Sequence, residues 1–247
     1  MTIPISIPWC VNYVPGSGGN FLAAILWQWH YLGADPIRSY VSRFGNLHRY
    51  RDWMLNWQSR DRGQLQRYFE LKANREDLPL IAIGHLYEPQ GRIGHPFAQF
   101  RVVVSPEDQI LMRLLTILKI AIDCHGLYPE NHWEMMRRRF PTAEWAQLVS
   151  PEQLTDSQIS EILQTYNAYI MPTNWRNYSP DFQPELAPGC YRVDIPVRTL
   201  LFDELGTMEL LRPYMGKDPV SDEVSRSLDQ YCDLNYRSIT TYYPGLI

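Results

Sequence analysis

The run Pro15-Gly16-Ser17-Gly18-Gly19-Asn20-Phe21 sits between an apolar strand and an apolar helix. Residues 7–14, Ile-Pro-Trp-Cys-Val-Asn-Tyr-Val, read as a short buried strand after the proline. Residues 21–29, Phe-Leu-Ala-Ala-Ile-Leu-Trp-Gln-Trp, read as a helix apolar nearly all round and therefore buried. Strand, glycine turn and helix together aim several backbone N–H groups and the positive end of a helix at one point, a geometry that binds phosphate. Glycine is needed there because a side chain would block the ligand and because such turns use positive φ. The Gly-x4-Gly-Lys-Ser/Thr loop of nucleoside triphosphatases does not fit: no lysine follows the glycines, and Asn20 stands where Ser or Thr would hold magnesium. A glycine turn in an ordinary α/β protein is the competing reading.

At 247 residues the chain is long enough for one large domain or one domain with an insertion. Its 45% hydrophobic and 20% charged residues exclude a disordered chain. A net charge of −4 argues against generic nucleic-acid binding, and the arginine groups Arg60/Arg62/Arg67 and Arg137-Arg138-Arg139 read as solvated helix faces. Cys10, Cys124, Cys190 and Cys232 are widely spaced, with no C-x-x-C or Cys/His pattern for zinc. Cys10 and Cys124 lie in apolar segments and read as reduced core residues. The first residues carry no basic segment and no long apolar stretch, so the expectation is a cytoplasmic protein with no membrane association.

Further along, residues 34–78 read as helical beside the glycine turn. Residues 80–84 form a second buried strand ending at His85, and residues 100–104 a third. Ser105-Pro106-Glu107-Asp108 then opens a helix, with Ser105 as N-cap and Pro106 at its first position. Ile110, Leu111, Leu114, Leu115, Ile117, Leu118 and Ile122 give that helix a wide apolar face. Residues 126–188 read as a mainly helical insertion, its clearest start at Thr155-Asp156-Ser157-Gln158, a capping-box pattern. A fourth strand at 191–195 is followed by helices near 197–205 and 208–214 and a last one from Ser221-Asp222. Strands alternating with helices imply a parallel sheet covered on both faces, with ligands beyond its carboxyl edge. Three strand ends, Val14-Pro15-Gly16, Gly84-His85 and Val104-Ser105, meet at that edge.

This constellation resembles the sulfotransferase superfamily, a P-loop fold whose members move a sulfuryl group from PAPS (3′-phosphoadenosine 5′-phosphosulfate). The family's loop reads Pro-Lys-Ser-Gly-Thr-Thr-Trp after a strand and holds the 5′-phosphosulfate. Pro15, Ser17 and Gly18 match it; Asn20 replaces threonine, Phe21 replaces tryptophan, and Gly16 stands where the lysine belongs. The resemblance implies that His85 is the base that activates the acceptor hydroxyl. It also implies that Ser105 and Arg113 hold the 3′-phosphate, at the family's eight-residue spacing with the residue types exchanged. The Arg-Lys-Gly-x-x-Gly segment that closes over the cofactor in the cytosolic branch is reduced to Gly216-Lys217. The likeness covers roughly residues 7–30, 79–122 and 190–237.

The expectation is therefore a single three-layer P-loop α/β domain over 1–247, with a mainly parallel sheet flanked by helices and a helical insertion at about 126–188. Pro15, Gly16, Ser17, Gly18, Gly19, Asn20, Phe21, Ser105 and Arg113 would bind PAPS or its product PAP. His85 would serve as base toward a small-molecule or glycan hydroxyl acceptor, and no metal is needed. Arg92, Arg101 and Arg113 are candidates for the missing cation. The alternatives are a P-loop kinase or nucleotide hydrolase, and a non-catalytic nucleotide-binding or structural module. Trp53, Trp57, Tyr68, Trp133, Trp145 and Trp175 divide between core and acceptor contacts.

Overall fold

A computed structural model describes residues 2–32, 42–45, 47, 54–56, 62–85, 95–123, 132–165 and 175–247. Among the described residues five strands form one sheet in the order β2-β3-β1-β4-β5, every neighbouring pair parallel. They are β1 Trp9–Asn12, β2 Met54–Asn56, β3 Ile81–Gly84, β4 Ala98–Val103 and β5 Tyr191–Pro196. β1, β3 and β4 are buried along their whole length, as strands covered on both faces must be. The three-layer α/β expectation holds, with one addition: β2 is an edge strand inside the stretch that reads as helical. Three residues are too few to show a periodicity. Helix α2, Arg62–Asn74, does follow in that stretch.

Helix α1, Gly19–Gln28, leaves the glycine turn and is buried along nearly all of its length. Helix α3, Gln109–Thr116, follows β4 and runs into a π-helical segment, Ile117–Ile122. Helices α4 (His132–Arg139) and α5 (Asp156–Thr165) occupy the insertion. Trp133, Met136, Trp145, Ile159, Ile162 and Leu163 from that region belong to the main core, so these pieces share it. The capping box at α5 is present: Gln158 N–H donates to Thr155 Oγ1 at 3.3 Å and Thr155 N–H to Gln158 Oε1 at 3.0 Å. Helices α6 (Val197–Phe202), α7 (Glu204–Met215) and α8 (Glu223–Tyr242) complete the chain.

Alternation along the strands sorts the two sheet faces. Trp9, Val11, Ile81, Ile83, Phe100, Val102, Val193 and Ile195 join the large core with α1, α3 and α8. Cys10, Leu55, Leu80 and Ala82 join a smaller cluster with Tyr68 of α2. From β1 the chain moves to β2 and β3 on one side and to β4 and β5 on the other. β1 is thus where strand order reverses, and the crevice at its carboxyl end is where open parallel sheets bind ligands. Ile110, expected on the apolar face of α3, is instead 43% exposed, while Leu111, Met112, Leu114 and Leu115 of the same helix are buried.

Candidate functional site

Pairing of Asn12 with Gly84 puts the ends of β1 and β3 level, while β4, paired with Asn12 at Arg101, runs on to Val103. Tyr13 N–H then donates to Gly84 O at 3.3 Å, which sets Tyr13 beside His85. The chain turns at Gly16, with φ 86°, and at Gly18, with φ 81°, both in the left-handed region that favours glycine. Space reinforces the requirement. A Cβ on Gly16 would lie 2.9 Å from the Thr116 backbone, one on Gly18 2.2 Å from Tyr231 Oη, and one on Gly19 1.9 Å from Tyr13 Cγ. The three glycines are thus pressed against α3, α8 and the end of β1.

Side chains of the turn mostly hold it in place. Ser17 is buried and its hydroxyl donates back to Val14 O at 2.7 Å. Asn20 accepts from Tyr13 Oη at 2.5 Å and donates to Leu47 O at 2.7 Å, so both ends of its amide are engaged within the protein. Phe21 stacks on Tyr231 with centroids 3.7 Å apart. Thr116 of α3 donates to Pro15 O at 2.8 Å. The first intrahelical bond of α1 runs from Leu22 N–H to Gly18 O at 2.8 Å, so the amides of Gly19, Asn20 and Phe21 precede it. These residues border a cavity of about 40 Å³, which Pro15, Gly16 and Gly18 also line while Ser17 does not. One water needs about 10–15 Å³ by this measure. The space thus suits a single oxyanion, and a nucleoside attached to it must lie outside.

His85 lines the same cavity. Its Nδ1 meets Tyr13 O at 2.8 Å, and since a carbonyl only accepts, Nδ1 carries the proton. In the neutral ring Nε2 then holds the lone pair. Burial moves His85 below the ordinary histidine value, with the Tyr13 carbonyl pulling the other way. The ring packs edge-on to Tyr13 at 4.5 Å, and the Tyr178 hydroxyl donates to the His85 carbonyl.

Lys119 also lines the cavity, a residue the sequence reading did not select. It is 1% exposed, and its Nζ donates to Asn235 Oδ1 at 2.6 Å and to Tyr231 Oη at 3.2 Å. Burial brings its pKa down to about 7, with Asp123 opposing. The signal was a lysine inside the apolar run Ile117-Leu118-Lys119-Ile120-Ala121-Ile122. Here the backbone is π-helical, with Asp123 N–H bonded to Leu118 O at 3.0 Å. Such wide turns displace the following side chains around the axis and cluster at functional sites.

Ser105 and Arg113 do not line this cavity. Ser105 sits at the N-cap position with Pro106 next, yet its hydroxyl donates to Asp108 Oδ2 at 2.8 Å and caps no amide. Asp108 is in turn ion-paired with Arg198. Arg113 is half-buried on α3, its Nε buried without a hydrogen-bond partner. Arg101 is not available as a cation for the site. It forms a bidentate bridge to Asp194, at 2.9 and 2.7 Å, and donates to Phe182 O at 2.6 Å. Arg92, Trp53, Trp57 and Cys124 lie outside the described residues. Tyr68, Trp133 and Trp145 are core residues.

No family model, curated protein or solved structure matches the chain. Among the described residues no helix is long and apolar enough to cross a membrane, and no group of His, Cys, Asp and Glu has the arrangement of a metal site.

Proposed function

We propose that this protein is a sulfotransferase-like enzyme that moves a sulfuryl group from PAPS to a hydroxyl acceptor. One observation carries the reading: His85 and the glycine turn border the same cavity. A donor whose terminal sulfate rested on the amides of Gly19, Asn20 and Phe21 would share that cavity with His85. In the reaction an acceptor oxygen attacks sulfur while the bond from sulfur to the bridging phosphate oxygen breaks. The acceptor proton passes to Nε2, the sulfate ester leaves, and PAP remains. His85, below its ordinary pKa, is a neutral base at pH 7. Helix dipole and turn amides would stabilise charge on the non-bridging oxygens.

Ser105 and Arg113 remain the candidates for the 3′-phosphate, with Ser105 having to exchange its Asp108 partner for the ligand. A kinase or nucleotide-hydrolase reading needs a magnesium-binding acid, and among the described residues lining the cavity none is a carboxylate. The non-catalytic module is favoured by a different observation: Ser17 and Asn20 spend their polar groups on the turn itself. Incubation with PAPS and a panel of sugar, phenol and alcohol acceptors separates these readings. Formation of PAP with a sulfated product, lost by about a hundred- to ten-thousandfold in His85→Ala while PAP affinity stays within about twofold, supports the enzyme. Tight PAP binding with no product from any acceptor supports the module.

A further inference from the structure

We propose that Lys119 is the cation of the glycine-turn site, neutralising the oxyanion there and the charge that develops on its leaving oxygen. This rests on the reading of the turn as an oxyanion site. The position the family gives to a loop lysine is Gly16, where a Cβ would strike the Thr116 backbone at 2.9 Å and φ is 86°. Position 16 therefore does not admit a lysine without strain. α3 packs on that same glycine and, one residue group further along, its π-helical continuation delivers Lys119 to the cavity wall. Neutral groups steer the ammonium from α8: Asn235 Oδ1 at 2.6 Å and Tyr231 Oη at 3.2 Å, with the Tyr231 ring 4.9 Å away. Tyr231 in turn stacks on Phe21 of the turn, which ties the steering group to the site. A buried lysine that lines the same small cavity as the helix-start amides is complementary to a sulfate or phosphate group.

Several described titratable groups lie near Lys119 or line the same cavity. Asp123, on its own helix, accepts from Ser42 Oγ at 2.5 Å and from Phe44 N–H at 2.7 Å. His85 at the end of β3 and Tyr13 at the end of β1 line the same cavity, and Tyr231 on α8 accepts from Lys119, with burial raising its own pKa. Lys119 changes charge near neutrality, where its pKa of about 7 places it. Sulfate is the proper probe, because it stays a dianion across that range.

The experiment is calorimetric titration of sodium sulfate at pH 6.5 to 9 into wild type, Lys119→Met, Lys119→Arg and Gly18→Val, with thermal melts of each. Wild-type affinity is expected to fall above pH 7, by up to about tenfold per pH unit. Lys119→Met is expected to bind about ten- to a hundredfold more weakly at pH 6.5 and to lose the slope; Lys119→Arg keeps binding and loses the slope. A flat wild-type profile overturns the role of Lys119 without any variant, as does undiminished binding by folded Lys119→Met. Equal binding by folded Gly18→Val shows instead that the turn is not the site, and no binding by wild type overturns both.

Discussion

Gly19→Ala should destabilise the protein although helix propensity favours it. Gly19 is the first residue of α1 and its φ is not positive, so alanine there gains up to about 1 kcal/mol by propensity alone. The added Cβ, however, would lie 1.9 Å from Cγ and 2.1 Å from Cδ1 of Tyr13. That ring is held at both ends: its hydroxyl donates to Asn20 Oδ1 at 2.5 Å, and its side packs on His85 at 4.5 Å. Overpacking of a core costs about 1–3 kcal/mol, and displacing the ring also breaks the Asn20 bond, about 1 kcal/mol more. The net expectation is a loss of about 1–3 kcal/mol. Tyr13→Ala by itself should cost about 3–5 kcal/mol. In the double variant Gly19→Ala should become neutral or stabilising, giving a coupling of about 1–3 kcal/mol or more. Urea denaturation measures this from the shift of Cm at unchanged m. A neutral Gly19→Ala in the wild-type background, or strict additivity with Tyr13→Ala, would refute the reasoning.

Buried Lys119 should make stability depend on pH. Its pKa falls from 10.5 in the open chain to about 7, so the unfolded state binds more protons between those values and stability rises with pH across the window. The whole effect is on the order of 5 kcal/mol, from about 3.5 pH units at 1.36 kcal/mol each. Urea melts of Lys119→Met should lack that rise, and an identical pH profile in wild type and variant would count against it. Arg101→Met should cost about 3–5 kcal/mol by leaving Asp194 without its bidentate partner. It should leave sulfate affinity unchanged, and a loss of affinity at retained stability would return Arg101 to the site. Turnover, if His85 is the base, should fall only below pH 6.5, since burial holds its pKa under the ordinary value; an acid limb centred above 7 would point to another group.

The glycine turn was legible because its cause is local. Gly16 and Gly18 need a backbone that glycine supplies, and the strand and helix around them are apolar in uninterrupted runs. His85 was legible as the residue after a buried strand. What the turn packs against was not. Gly18 is pressed by Tyr231, 213 positions on, and Gly16 by Thr116, contacts that no sequence spacing encodes. Lys119 belongs to the same class: its role depends on a π-helical turn and on Asn235 and Tyr231 of a distant helix. Arg101 read as a free cation because its partner, Asp194, is reached only through the parallel pairing of β4 with β5. Strand β2 was hidden because three residues carry too little pattern to separate it from the flanking polar sequence.

The central claim is that an oxyanion binds on the amides that open α1. Sulfate, then adenosine 3′,5′-bisphosphate, titrated into nitrogen-labelled protein and followed by amide NMR, tests it residue by residue. The account predicts saturable shifts largest at Gly18, Gly19, Asn20 and Phe21, with a smaller response at His85 and Lys119. Shifts confined to other residues, or none at saturating sulfate, would contradict it.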